Sequence, residues 1–87
     1  MLQSNSTIQI KIEAYGAVEK LLPANLVIYN PPHSDIGAAL SQVMSLYPEA
    51  KTLIERCACA VGEDIIPRNF MIEHAMTLVL LSPVAGG

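Results

Sequence analysis

The sequence predicts an α+β domain in which one main helix covers one face of a β-sheet. Apolar and polar residues alternate with a period of two near the start of the chain, as they do in half-buried strands. A single segment in the middle repeats apolar residues at helical spacing. The predicted order is strand, strand, helix, strand, short strand, strand, so one helix must cover one sheet.

Length and composition bound the kind of protein. A chain of 87 residues forms one domain, residues 1–87, that buries about 63% of its unfolded surface. Hydrophobic residues make up 52% and charged residues 15%, so we expect some apolar surface to face a partner. The formal charge of -3 and the lack of a basic run argue against nucleic-acid and membrane partners. No signal peptide or membrane-length apolar run is visible, and the expected location is the cytoplasm.

The first half of the domain begins with a hairpin. After the polar leader "MLQSNS", Ile8, Ile10 and Ile12 alternate with polar residues and predict the first strand. The segment "GAVEKLL" predicts at most a short helical turn before Pro23, and "ANLVIYN" predicts a second strand. The connection is short enough for the two strands to pair directly.

The main helix follows two prolines. Ser34 or Asp35 can cap its first turn. Its apolar stripe has the spacing of one helical face and consists of Ile36, Ala39, Leu40, Val43, Met44 and Tyr47. Pro48 interrupts this helix, and "PEAKTLIER" predicts a second, short one.

The second half supplies the remaining strands. "CACAV" predicts a strand that turns at residues 62–64 into "DII", and a loop over residues 67–75 leads to the last strand, "MTLVLLS". That last strand is apolar on both faces, and the single helix can cover only one of them. The outward residues, Val79 and Leu81, therefore form a candidate partner interface, although open apolar sheet faces also occur in monomers.

The chain ends in "LLSPVAGG", an apolar strand followed by two glycines that can bury nothing. The strand order and this ending resemble the β-grasp sulfur carriers, most closely the small subunit of molybdopterin synthase. The tail of that family is matched at Pro83, Val84, Ala85, Gly86 and Gly87. Two positions depart from it: Ser82 stands where members often have a second proline, and Ala75-Met76 where many have a Gly-Asp turn.

The resemblance implies a ubiquitin-like β-grasp fold, with a mixed sheet of four to five strands whose first and last members are parallel neighbours. It also implies that an ATP-dependent adenylating enzyme activates the carboxylate of Gly87, and that sulfur from a donor protein converts it to a thiocarboxylate. Residues 83–86 would then form a flexible tail that enters a channel in the molybdopterin synthase large subunit. In that family the carrier binds no cofactor itself, and catalytic acids and bases belong to the partner.

Other chemical groups have simpler interpretations. Cys57 and Cys59 could hold a metal or a persulfide, but two ligands without nearby histidines fall short of a zinc site, which favours a buried structural role. His33 and His74 are expected in solvated loops, and Glu63 with Asp64 in a polar turn.

Three other functions share the sequence evidence. The chain could be a related carrier for thiamine or cysteine synthesis, or a ubiquitin-like modifier that forms isopeptide bonds with lysines. It could also be a plain interaction module. The Pro-Val sequence before the small residues favours the molybdopterin carrier over the other carriers.

Overall fold

A computed structural model describes residues 7–83 of the chain. Within that range a five-stranded mixed sheet has the order β2-β1-β7-β4-β5, and a second, two-stranded sheet pairs β3 with β6. The strands are β1 (Ile8–Tyr15), β2 (Leu26–Asn30), β3 (Ser34–Asp35), β4 (Ala58–Val61), β5 (Asp64–Ile66), β6 (Met71–Ile72) and β7 (Met76–Leu81). The helices are α1 (Ile36–Leu46) and α2 (Lys51–Arg56), with 3-10 turns at Gly16–Leu21 and Pro48–Ala50. The predicted α+β class with a mixed sheet and one main helix is confirmed.

The first and last strands are parallel neighbours at the centre of the sheet. Their register runs from the pair Ile10 and Met76 to the pair Tyr15 and Leu81. β1 also pairs antiparallel with β2, and β7 pairs antiparallel with β4. The β-grasp arrangement expected from the tail resemblance is therefore present.

Helix α1 packs on one face of the sheet, and its cap, its end and its apolar stripe are those that the sequence predicts. The carboxylate of Asp35 accepts a hydrogen bond of 2.8 Å from the Ala38 N–H and caps the first turn. At the other end the Tyr47 N–H donates to the Val43 carbonyl, and Pro48 follows. The buried residues of the helix are the predicted stripe members Ile36, Ala39, Leu40 and Val43.

The hydrophobic core lies between α1 and the sheet. Leu78 and Leu80 of β7 and Ile10 of β1 are fully buried there. At about 25 cal/mol per Å² of apolar surface, such side chains each contribute roughly 1.5–3 kcal/mol to folding. None of the helices among residues 7–83 is long and apolar enough to span a membrane.

The loop predicted over residues 67–75 contains a strand that the sequence did not indicate. Met71 and Ile72 form β6, which pairs with Ser34 and Asp35 just before α1. A two-residue strand has no periodicity to detect. Hydrogen bonds of 3.0 Å from the Ile36 N–H to Phe70 O and 2.8 Å from the Gly37 N–H to Arg68 O continue the contact into the helix. This pairing ties the loop to the start of α1.

Candidate functional site

The tail leaves the domain from its central strand. β7 lies between β1 and β4, ends at Leu81, and is followed by half-buried Ser82 and exposed Pro83. Val84, Ala85, Gly86 and Gly87 lie outside the described residues. The expected mobility of the tail and the chemistry expected at Gly87 concern these residues and remain predictions.

Ser82 is held at the end of β7 by two hydrogen bonds, which we call the tail anchor. Its N–H donates to the Tyr15 carbonyl at 3.1 Å, and its Oγ accepts from the Val18 N–H at 2.9 Å. Val18 lies in the first turn of a 3-10 helix, where backbone N–H groups have no partner within the helix. The serine hydroxyl supplies that partner from 64 positions along the chain.

Gly16 permits this close approach. Its φ is 87°, in the left-handed region, and a Cβ built on it would lie 2.9 Å from the Cβ of Ser82. Any other residue would combine backbone strain with overlap against the end of β7. The tail anchor thus depends on a glycine in one segment and a serine in another.

The face of the sheet opposite α1 is largely apolar around β7. Val79 and Leu81 are half-buried on this face, whereas Leu78 and Leu80 on the other face are fully buried. The strand register places further side chains beside them, and we call the group the open-face patch: Tyr15, Ala58, Ala60, Ile65, Val79 and Leu81. Ile65 is 65% exposed and Tyr15 50% exposed. The prediction that Val79 and Leu81 lie on the uncovered face agrees with this geometry.

Polar groups of β1 border the open-face patch. The Tyr15 hydroxyl donates to Glu13 Oε1 at 3.2 Å, and Lys11 Nζ lies 3.9 Å from the other oxygen of that carboxylate. The hydrogen bond to Glu13 and its negative charge raise the pKa of Tyr15. The tyrosine hydroxyl is thereby kept as a donor near the tail root.

The two cysteines are free, buried and close to the root of the tail. Cys57 precedes β4 rather than lying in it, and its Sγ is 3.2 Å from the Leu53 carbonyl and 3.9 Å from Ser82 Oγ. Burial raises the pKa of the Cys57 thiol, which disfavours the thiolate needed for metal or persulfide chemistry. Within residues 7–83 no cluster of three or more metal-ligating side chains occurs. The burial of both thiols agrees with the structural interpretation of Cys57 and Cys59.

The remaining candidate groups also follow their simpler interpretations. His33 and His74 are exposed, and Glu63 lies in the exposed turn before Asp64 opens β5. His74 borders a shallow apolar depression of about 500 Å³ lined by Phe70, Met71 and Met76. This depression is at the start of β7, at the opposite end of the strand from the tail.

Fold and sequence together define the class of this protein. A β-grasp sheet whose central strand is followed in the sequence by Pro-Val-Ala-Gly-Gly has the form of a ubiquitin-like sulfur carrier. The model of the ThiS family matches residues 15–87, and the chain belongs to that family. Among curated proteins no sequence match was found.

Solved structures agree on the fold at low sequence identity. The Haloferax volcanii small archaeal modifier protein 1 is 9% identical with a TM-score of 0.78, covering 88% of this chain and 99% of its own. The Caldiarchaeum subterraneum ubiquitin is 16% identical with a TM-score of 0.64, covering 94% and 100%. A complex of subunits 1 and 2 of the Helicobacter pylori molybdopterin-converting factor contains a chain 20% identical, with a TM-score of 0.62, covering 92% and 100%. At these identities the structures establish the ubiquitin-like fold.

Two features of the site depend on contacts between distant parts of the chain. The anchoring role of Ser82 depends on contact with residues 15–18, far away in the chain. Tyr15 and Ile65 join the open-face patch through the register of neighbouring strands. Only the departure at Ser82 from the family tail marked that position as worth attention.

Proposed function

We propose that this protein is a sulfur carrier in molybdopterin biosynthesis that delivers sulfur from a thiocarboxylate at Gly87. The observation that supports it best is that the sequence Pro-Val-Ala-Gly-Gly directly follows the central strand β7 and its anchored end at Ser82. Membership of the ThiS family and the fold shared with a molybdopterin-converting factor subunit agree with the proposal.

The chemistry requires activation because a carboxylate is a poor electrophile. The Gly87 carboxylate attacks the α-phosphorus of ATP on an adenylating enzyme, which releases pyrophosphate and leaves an acyl-adenylate. The terminal sulfur of a donor protein's persulfide displaces AMP, and a thiol then cleaves the S–S bond to leave the thiocarboxylate. The thiocarboxylate sulfur attacks a cyclic pterin precursor on the large subunit, and water then cleaves the bond between that sulfur and the Gly87 carbonyl carbon, which regenerates the carboxylate. The carrier contributes the acyl group, without a bound cofactor or catalytic side chains of its own.

The tail has the dimensions for this task. Five residues from Pro83 span roughly 17 Å when extended, which is enough to enter the active site of a partner. Glycines at positions 86 and 87 have no Cβ, so they can pass a narrow channel and adopt either sign of φ. Val84 and Ala85 would occupy the channel behind them.

The open-face patch is our candidate surface for the large subunit. It is apolar, continuous with the tail root through Leu81, and not covered by α1. The Helicobacter pylori structure is a complex of the two subunits, which supports a heteromeric assembly here. Since the reactions consume ATP and reduced thiols, we propose that the assembly works in the cytoplasm.

A ubiquitin-like modifier is the second candidate. The structural likeness to a small archaeal modifier protein and to an archaeal ubiquitin favours it as a specific alternative. In that case the adenylated Gly87 is attacked by a lysine amine, which forms an isopeptide bond in place of a thiocarboxylate. A carrier for thiamine or cysteine synthesis would instead share the thiocarboxylate and differ in the acceptor.

The position of the terminal carboxylate tests the proposal. A variant lacking Gly87 places its carboxylate about 3.5 Å short, and a misplacement of about 1 Å can lower a rate about a hundredfold. A variant with one alanine added after Gly87 places it too far and puts a methyl group in the channel. Both should fold like the parent yet fail to form the thiocarboxylate with adenylating enzyme, persulfide donor and ATP.

Intact-mass spectrometry distinguishes the outcomes. The mass of the parent should rise by about 16 Da when one sulfur replaces one oxygen. It should return to the starting value when that sulfur passes to the pterin precursor. If either variant formed the thiocarboxylate and transferred its sulfur at the parental rate, the proposal would be contradicted. A stable adduct between the parent and a protein lysine, without thiocarboxylate, would support the modifier instead.

A further inference from the structure

Three segments meet at Ser82, the last residue before the exposed part of the tail. The end of β1 provides the Tyr15 carbonyl, the following 3-10 turn provides the Val18 N–H, and the end of α2 brings Cys57 Sγ to 3.9 Å from the hydroxyl. Val18 itself is fully buried. The serine is therefore bonded to the folded domain through both its backbone and its side chain.

The arrangement needs both a serine and a glycine. A proline at position 82 would have neither the N–H that bonds Tyr15 nor the hydroxyl that accepts from Val18. A side chain at position 16 would meet the Ser82 Cβ at 2.9 Å. Where the family tail often has a second proline, this chain has a serine, and Tyr15, Gly16 and Val18 accommodate and bond that serine.

We propose that Ser82 is a positioning residue for the terminal carboxylate, because the tail anchor fixes the point and direction at which the tail leaves the sheet. This inference rests on the proposed function of the tail. When the tail is extended over about 17 Å, a tilt of about 10° at its root displaces its end by about 3 Å. Displacements of this size are large compared with the tolerance of a reacting pair.

The anchor also couples the tail to the open-face patch. Leu81 lies in the patch and is followed directly by Ser82, and Tyr15 contributes its side chain to the patch and its carbonyl to the anchor. A partner that binds the patch therefore receives the tail from a fixed origin. Loss of the anchor should affect the reaction of bound carrier more than its binding.

The experiment compares Ser82→Ala with Ser82→Thr, which keeps the hydroxyl, and with Ser45→Ala on the exposed side of α1 as a control. Three quantities are measured: hydrogen exchange at the Val18 amide, affinity for the large subunit, and kcat and KM for adenylation by the activating enzyme. We expect Ser82→Ala to exchange the Val18 amide about tenfold faster and to lower kcat about tenfold, with KM and affinity near the parent. Ser82→Thr should restore most of kcat, and Ser45→Ala should match the parent.

Each failure has a distinct meaning. If Ser82→Ala exchanges the Val18 amide faster but keeps the parental kcat, the positioning role is wrong and the hydrogen bond only stabilises the fold. Unchanged exchange at Val18 overturns the anchor itself. If the parent is not adenylated at all, the proposed function fails and the positioning role falls with it, whereas failures confined to the Ser82 variants leave the proposed function intact.

Discussion

Arg68 joins the end of α2 to the start of β4. Its Nη2 donates to the carbonyls of Ile54 at 2.8 Å and Glu55 at 3.2 Å, and Nη1 lies 3.4 Å from both the Cys57 carbonyl and Cys59 Sγ. Carbonyls in the last turn of a helix lack partners within it, and a cation there also interacts favourably with the helix dipole. Because Cys57 lies beside Ser82, Arg68 supports the segment that borders the tail root.

Replacement of Arg68 by methionine should lower the free energy of unfolding by about 1–3 kcal/mol, since several carbonyls lose a charged donor. Arg56→Met is the matched control, because Arg56 is an exposed arginine at the end of α2, the helix whose carbonyls Arg68 contacts. Urea denaturation of both variants measures the difference. Equal unfolding free energies for the two would show that the bonds of Arg68 add nothing net.

The thiol of Cys57 makes stability depend on alkaline pH. Burial raises its pKa in the folded protein, an effect that the hydrogen bond with Ser82 partly opposes, while Cys59 raises the pKa further and Arg68 lowers it. The folded state therefore keeps its proton at a pH where the unfolded thiol, with a pKa of about 8.5, has lost it. The stabilising contribution is complete below that pH and is lost as pH rises through the folded pKa.

The urea midpoint of the parent should consequently fall more steeply above about pH 8.5 than that of Cys57→Ala. Tyr15, whose pKa is also raised, is present in both proteins, so its contribution cancels in the comparison. Parallel pH profiles for the two proteins would rule out a contribution from Cys57.

Among the structural elements, β7 combines a core face with the face that we propose as a partner interface. A charge on the exposed side should spare the fold, because Val79 and Leu81 lie outside the core between α1 and the sheet. In a partner interface the same charge would be desolvated and unpaired. The two faces of one strand therefore predict separate effects on folding and binding.

We expect Leu81→Glu or Val79→Glu to weaken binding to the large subunit about 30-fold or more, the roughly 2 kcal/mol of an interface hot spot. Leu46→Glu is the control, since Leu46 is 56% exposed on α1, away from the patch. Calorimetric titration gives the affinities, and circular dichroism checks the fold. An affinity unchanged by both β7 variants would remove this face from the interface.

How far each element could be predicted depended on the range of the interactions that form it. β1 and α1 carry their own periodicity, so the local pattern alone places Ile10 and Leu40 on apolar faces, and both are buried in the core. β6 exists through its pairing with Ser34 and Asp35, and the tail anchor through contact between residues 15–18 and Ser82. Such long-range contacts follow from strand register, which a single sequence does not specify. The tail motif was predicted by family resemblance, and the surface around it was not.

For the whole molecule, β7 is the strand that connects the two halves of the sheet. The β1–β2 pair and the β4–β5 pair contact each other in the sheet order only through it. Removing β7 also removes the fully buried Leu78 and Leu80, and loss of such side chains costs about 2–5 kcal/mol each. The total stability of a domain is only about 5–15 kcal/mol.

A chain that stops after Pro83 should therefore give the parental circular dichroism and a dispersed amide spectrum, because the sheet and the tail anchor are complete. A chain that stops after Ala75 should be unfolded. If the shorter chain kept cooperative thermal unfolding, the two halves would be independently stable and the central role of β7 would be wrong.

The parallel pairing of β1 with β7 also constrains events on the ribosome. β1 is synthesised before the other strands of the sheet and its neighbour β7 after them, so one edge of β1 stays unpaired while most of the domain emerges. An apolar strand with a free edge is prone to associate with other chains, which makes the nascent protein a client for chaperones. Under the proposed function, an adenylating enzyme that recognises the completed sheet would engage the carrier only after β7 has emerged from the ribosome and paired with β1.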